Sequence, residues 1–184
     1  MRLFFAVQLP AEVRERLGTA LAAARRAGGD GVGFTRVEQL HFTLAFLGET
    51  ERVEDACAAA SGISELPEFE LAIAGAGAFP SPSRPRVLWL GVSAGGPELV
   101  AVADRVCSGL RERGFDLESR PFLPHLTVGR IRQRGERDAR RALSAIPTGE
   151  VARAPVREIC LMQSVLGAGG AKHSVVRAFP LRAG

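Results

Sequence analysis

"LHFTLAFLGE", residues 40–49, carries a histidine and a threonine two positions apart in an otherwise apolar run. Successive side chains of a strand point to opposite faces, so His41 and Thr43 share one face while Leu40, Phe42, Leu44 and Phe46 line the other. The apolar row anchors such a strand in a core and leaves an imidazole beside a hydroxyl on the open side. The phrase returns at residues 124–130 as "PHLTVGR", where His125 and Thr127 stand opposite Leu126 and Val128. The chain has three histidines, and two of them are spent in these matching strands.

The flanking segments repeat as well. "RLFFAVQL", Arg2 to Leu9, reads as a buried strand closed by Pro10. A helix follows over residues 10–29, with Val13, Leu17 and Leu21 along one face and Gly28-Gly29 as its stop. After the first His-x-Thr strand come a helix over 51–61 and a strand over 69–79. The proline-rich "PSPSRPR", residues 80–86, reads as the loop at the chain's midpoint. Beyond it the order recurs. A strand at "RVLWLGVS" precedes a helix from Pro97 to Arg113 with Leu99, Val102, Val106 and Leu110 on one stripe. "RPFLPHLTVGRI" is the second His-x-Thr strand and "ERDARRALSAI" a helix stopped by Pro147, before strands at "VREICLMQSVL" and "HSVVRAFPL". Each half therefore runs strand, helix, His-x-Thr strand, helix, strand. That pattern predicts a duplicated, pseudo-symmetric α+β arrangement, although it leaves strand order and direction open.

Bulk properties narrow the class. With 46% hydrophobic and 24% charged residues the chain is globular rather than disordered. Its net charge is +4, and Lys172 is the only lysine among the cations. Arginine forks suit phosphate oxygens, so an anionic partner fits. Cys57, Cys107 and Cys160 form no C-x-x-C, which points to a reducing cytosol and to neither a disulfide framework nor a zinc site. The apolar start "MRLFFAVQLP" is too short for a secretory signal, and no run approaches a membrane span. "GAGG" (167–170) and "GAGAF" (75–79) lack the Gly-Lys-Ser/Thr ending of a P-loop and read as loop or strand-end glycines.

Two His-x-Thr strands meeting across a pseudo-twofold axis would form a cleft with an imidazole and a hydroxyl on each wall. Such a cleft suits in-line attack on phosphorus. One neutral imidazole takes a proton from the incoming hydroxyl or water, and the other, protonated, gives one to the leaving oxygen; both states are accessible near the ordinary pKa of about 6.5. The threonine hydroxyls can donate to the non-bridging oxygens. Neither a metal nor a cofactor is needed.

The motifs "HFTL" and "HLTV", together with "RLFFAVQLP", "LAFLGE", "RVLWLGV" and "PHLTVGRIR", resemble the 2H phosphoesterase superfamily over nearly the full length. The nearest branch is the bacterial RNA 2′,3′-cyclic phosphodiesterase (2′-5′ RNA ligase) family. The resemblance implies a bilobal, pseudo-twofold α+β fold with two mainly antiparallel sheets around a central cleft and helices outside. On that basis residues 1–184 form a single domain of two lobes, about 1–80 and 81–184, with terminal strands open to exchange between them. It also implies hydrolysis of a 2′,3′-cyclic phosphate on RNA to a 2′-phosphomonoester. His41 would be the proton donor to the leaving 3′ oxygen, His125 the acceptor that activates water, and Thr43 and Thr127 the phosphate holders.

Arg130 falls where relatives carry a basic residue, yet strict alternation puts it on the face opposite His125 unless Gly129 bends the chain. Relatives commonly place a tyrosine after the last glycine-rich loop. This chain has no tyrosine and offers Lys172 and His173 there, with Phe122 and Phe46 as substitutes for stacking a base. The expected partner is an RNA or oligonucleotide end, met by a cytoplasmic monomer without a membrane anchor. Reversible 2′-5′ ligation, another small cyclic phosphate such as one on ADP-ribose, and a non-catalytic module capping RNA ends are the rival readings.

Overall fold

The structure is a computed structural model and describes residues 1–167 and 170–184. Among the described residues nine strands form two sheets, and every pairing within them is antiparallel. The first sheet contains β1 (Arg2–Gln8), β3 (His41–Glu49), β8 (Glu158–Gly167) and β9 (Gly170–Pro180), in the order β3-β1-β8-β9. The second contains β2 (Val32–Phe34), β4 (Phe69–Ser81), β5 (Arg84–Ala94), β6 (Leu126–Ile131) and β7 (Glu150–Val156), in the order β2-β6-β5-β4-β7. With β2 set aside, the two orders are equivalent. A His-x-Thr strand (β3 or β6) pairs with the opening strand of its own half (β1 or β5), and a strand from the other half (β8 or β4) comes next. Each sheet therefore draws strands from both halves of the chain.

The helices cross over in the same way. The segment between β1 and β3 forms α1 (Ala11–Ala20) and α2 (Ala22–Gly28), which pack on β7 and on α5 (Glu136–Ser144) of the second sheet. In exchange, α4 (Gly96–Glu112) from the second half packs on β3 and on α3 (Val53–Ala59). Its buried stripe is Leu99, Val102, Ala103, Val106 and Leu110. One apolar core runs through both sheets, built from residues such as Phe5, Phe42, Leu71, Leu88, Leu99 and Leu126. β1 is buried on both sides. Leu3, Phe5 and Val7 enter this core, while Phe4 and Ala6 join Cys160 and Met162 in a smaller cluster beneath the open face of the first sheet.

Several sequence expectations require correction. "PSPSRPR" is not a free loop: Pro80 pairs with Pro85 and Ser81 with Arg84, so β4 and β5 are a hairpin. Prolines are tolerated there because β4 meets β7 only over Phe69–Ala74 and β5 meets β6 only over Val87–Leu90; the hairpin's end has no third strand to bond. "GAGAF" lies inside β4 rather than at its end. A Cβ on Gly77 would come within 2.2 Å of the Trp89 ring that covers it. The helix over 10–29 is divided at Leu21, although the Leu21 and Arg25 N–H groups still donate to Leu17 and Leu21, and the stripe Val13, Leu17, Leu21, Ala24 stays buried. The single strand expected over 156–166 is preceded by a separate β7, whose buried side chains are only Ala152, Ala154 and Val156. Of "GAGG", residues 168 and 169 lie outside the described residues. Among the described residues no helix is long and apolar enough to cross a membrane.

Candidate active site

Each histidine sits at the entry to its strand rather than inside it. His41 opens β3 directly after a 3₁₀ turn at Val37–Gln39, and His125 stands one residue before β6. The expected strand start at residue 120 is displaced because Pro121 and Pro124 interrupt the ladder. At both sites the ring folds back on its own entry. Nδ1–H of His41 donates to the Gln39 carbonyl at 2.6 Å, and Nδ1–H of His125 donates to the Leu123 carbonyl at 2.7 Å. A carbonyl only accepts, so Nδ1 carries the proton in both rings and each Nε2 is left for chemistry. Each ring also rests on an aromatic of another strand of its sheet: His41 lies 5.2 Å from Phe4 of β1, and His125 packs edge-on to Phe79 of β4 at 5.0 Å. Sequence reasoning missed these supports, since nothing local marks a phenylalanine on another strand as a floor for an imidazole.

Both motifs end in a bulge. Opposite β1, Phe5 pairs with Ala45 and Ala6 with Thr43, which leaves Leu44 as an extra residue. Opposite β5, Leu88 pairs with Gly129 and Trp89 with Thr127, which leaves Val128 extra at the equivalent place. The inserted residue reverses the alternation beyond it. Leu44 and Ala45 are both buried, and so are Val128 and Gly129. The next residues, Phe46 and Arg130, are thrown out of the core onto the side of the imidazoles. This corrects the expectation for Phe46 and supplies the bend at Gly129 on which the Arg130 reading depended. Phe46 is 64% exposed instead of core-facing, and Arg130 is exposed on the same side of the strand as His125 and Thr127. Phe122, the other candidate for stacking, packs against the core.

The sheets meet here. β3 lies against β6, and β2 pairs only with Gly129–Ile131, so the end of β6 that bears Thr127 has no strand beyond it. The Thr43 and Thr127 hydroxyls are half-buried and, among the described residues, have no intramolecular hydrogen-bond partner. Arg130 likewise makes no ion pair there.

The third histidine joins the first. The β8–β9 hairpin leans over the open face, tied down by the Gln39 side-chain amide, which donates to the Ala171 carbonyl. His173 thereby lies edge-on to His41 with 5.4 Å between ring centroids, and 5.1 Å from Phe4. Burial lowers the His41 pKa below its ordinary value; the Gln39 carbonyl acts the other way, and the like charge of His173 lowers it further. Burial also lowers His173. The Cys160 thiol beneath this face is pushed up to about 11 by burial and by Glu158, so it stays protonated and is no rival nucleophile at neutral pH. Among the described residues no group of three or more His, Cys, Asp or Glu side chains is gathered as a metal-ion site.

Two imidazoles with open Nε2 atoms, two hydroxyls without internal partners and a guanidinium stand at β3 and β6, strands that contact one another, so this region carries groups able to give and take protons and to bind an anion. Known proteins resemble this chain in sequence and in shape. The family model of the 2′-5′ RNA ligase superfamily matches residues 3–168. An RNA 2′,3′-cyclic phosphodiesterase of Archaeoglobus fulgidus is 36% identical over 97% of this chain and 99% of its own length. The crystal structure of TT0787 of Thermus thermophilus superposes with a TM-score of 0.79 at 29% identity, covering 100% of this chain and 99% of that one. The crystal structure of Escherichia coli LigT complexed with 3′-AMP gives 0.77 at 31% identity, over 98% and 97% of the two chains.

Proposed function

The chain belongs to the 2′-5′ RNA ligase superfamily, and from that premise we propose that it hydrolyses the 2′,3′-cyclic phosphate at RNA ends to a 2′-phosphomonoester. His41 and His125 act as an acid–base pair. The observation that carries the reading is the twin hydrogen bond from Nδ1 to a carbonyl two residues back, which frees Nε2 in both motifs. His125 Nε2 takes a proton from water as the water oxygen bonds to phosphorus. The bond from phosphorus to the 3′ oxygen breaks, and His41 Nε2–H protonates that oxygen. Thr43 and Thr127 donate to the non-bridging oxygens where charge accumulates, and Arg130 neutralises it. The exposed Phe46 ring offers a platform for the base. After turnover His41 is neutral and His125 charged, and exchange with solvent resets both. The three cysteines are all free, which suits a reducing compartment, and we place the enzyme in the cytoplasm as a monomer.

The test is incubation with an oligonucleotide ending in a 2′,3′-cyclic phosphate, in EDTA, with phosphorus NMR of the product. A 2′-phosphate is expected. A 3′-phosphate would reverse the leaving oxygen and with it the two histidine roles, and no turnover would sink the proposal.

The acid role of His41 is separable by pH. Its rate contribution scales with its protonated fraction, so activity falls as pH rises past its pKa. His173→Phe keeps a ring beside His41 but removes the like charge, which raises the His41 pKa. The alkaline limb of kcat/KM should rise while the acid limb stays put, because there His41 is already protonated. Movement of the acid limb alone would make His41 the base.

A further inference from the structure

We propose that the cavity beside His41 is a second phosphate subsite, which receives the phosphodiester one nucleotide upstream of the cyclic end and makes the enzyme prefer an RNA strand to a mononucleotide. The inference rests on the hydrolase reading above. The cavity has a volume of about 270 Å³, and its walls include His41, Gln8, Arg14, Glu38, Lys172 and His173. Its two cations come from distant parts of the chain, Arg14 from α1 and Lys172 from β9. Elsewhere arginines such as Arg52, Arg105 and Arg153 are tied to carboxylates, whereas the Arg14 and Lys172 side chains have no ion-pair or hydrogen-bond partner among the described residues. Glu38, the carboxylate on the wall, is exposed and acts on Arg25.

The cavity's shape is held by the Gln39 amide bridging to Ala171, so the cations are presented on a fixed frame. The place in the reaction follows from connectivity. His41 protonates the 3′ oxygen of the terminal ribose, and the chain leaves that ribose through its 5′ oxygen to the next phosphorus. The next anion therefore lies one ribose away from His41, and a polar cavity that shares the His41 wall and carries two unpaired cations matches it in charge and position. Arg14 can fork two of the diester's oxygens while Lys172 contributes a point charge.

The experiment compares three substrates with the intact protein: adenosine 2′,3′-cyclic phosphate, ApA ending in a 2′,3′-cyclic phosphate, and the same dinucleotide with a neutral methylphosphonate linkage. The charged dinucleotide should exceed the mononucleotide about tenfold in kcat/KM, mostly through KM, as one or two charge-assisted hydrogen bonds allow. The advantage should shrink as salt rises. The methylphosphonate should fall back to the mononucleotide's value, a result that needs no variant to fold. In R14A and K172A, the ratio of the two natural substrates, read within each variant, should drop several-fold, and in the double variant it should approach one. Equal kcat/KM for the charged and neutral linkages, or a ratio untouched in the double variant, would overturn the subsite while leaving the hydrolase reading standing. Failure to turn over any of the three would overturn that reading and this one with it.

Discussion

His125→Ala and His41→Ala should each lower kcat by about 10²–10⁴-fold, the usual worth of a positioned general acid or base. Neither ring is a core residue. Both are half-buried, so the loss should come from chemistry and leave the thermal transition nearly in place. Acid and base act in one displacement, so the double variant should fall little further than the worse single variant rather than to the product of the two. Imidazole added to His125→Ala should restore part of the rate, because water then regains a base with an open nitrogen. Single-turnover kinetics on a cyclic-ended oligonucleotide would measure all of these, with circular dichroism melting as the check on folding. Full activity in either single variant would remove that ring from the mechanism and leave a phosphate-binding module as the better account.

The residues behind this prediction were legible because the motif is written twice. Alternation put His41 beside Thr43 and His125 beside Thr127, and the repeated element order pointed to a duplicated α+β arrangement, whereas the antiparallel sheets were implied only by the family resemblance. The equivalent sheets go further than any single segment could say. β4 enters the second sheet through its hairpin with β5 and its pairing with the distant β7, and β8 returns to the first sheet by pairing with the distant β1.

What stayed hidden has identifiable causes. The bulges at Leu44 and Val128 arise from how β3 and β6 pair with β1 and β5, and a period-2 reading cannot contain them. Phe46 was accordingly assigned to the wrong face, and Arg130 was set beside His125 only on condition of a bend at Gly129. β7 escaped notice because its inward residues are two alanines and a valine, and Pro155 on an edge strand masks the rest. His173 carries no pattern of its own. It reaches His41 only because the β8–β9 hairpin folds over the open face.

The sharpest separation of fold from function lies in two adjacent residues of β3. Phe42 points into the core opposite the His41–Thr43 face, is 0% exposed and pairs with Val7 of β1. Phe42→Ala should cost about 3–5 kcal/mol through lost burial and the cavity left behind, a large share of a total of roughly 5–15 kcal/mol. Its urea midpoint should fall with little change in slope. Thr43→Val should do the reverse. The hydroxyl has no internal partner to lose, so stability should shift by only about 0.5 kcal/mol, whereas removing a donor to the developing charge should lower kcat by about 10²-fold. A Phe42→Ala protein that kept its midpoint would show that the ring is not packed as described. A Thr43→Val protein at full rate would show that the hydroxyl never meets the phosphate. Strand alternation places these two side chains on opposite faces, so the two variants must fail in opposite ways.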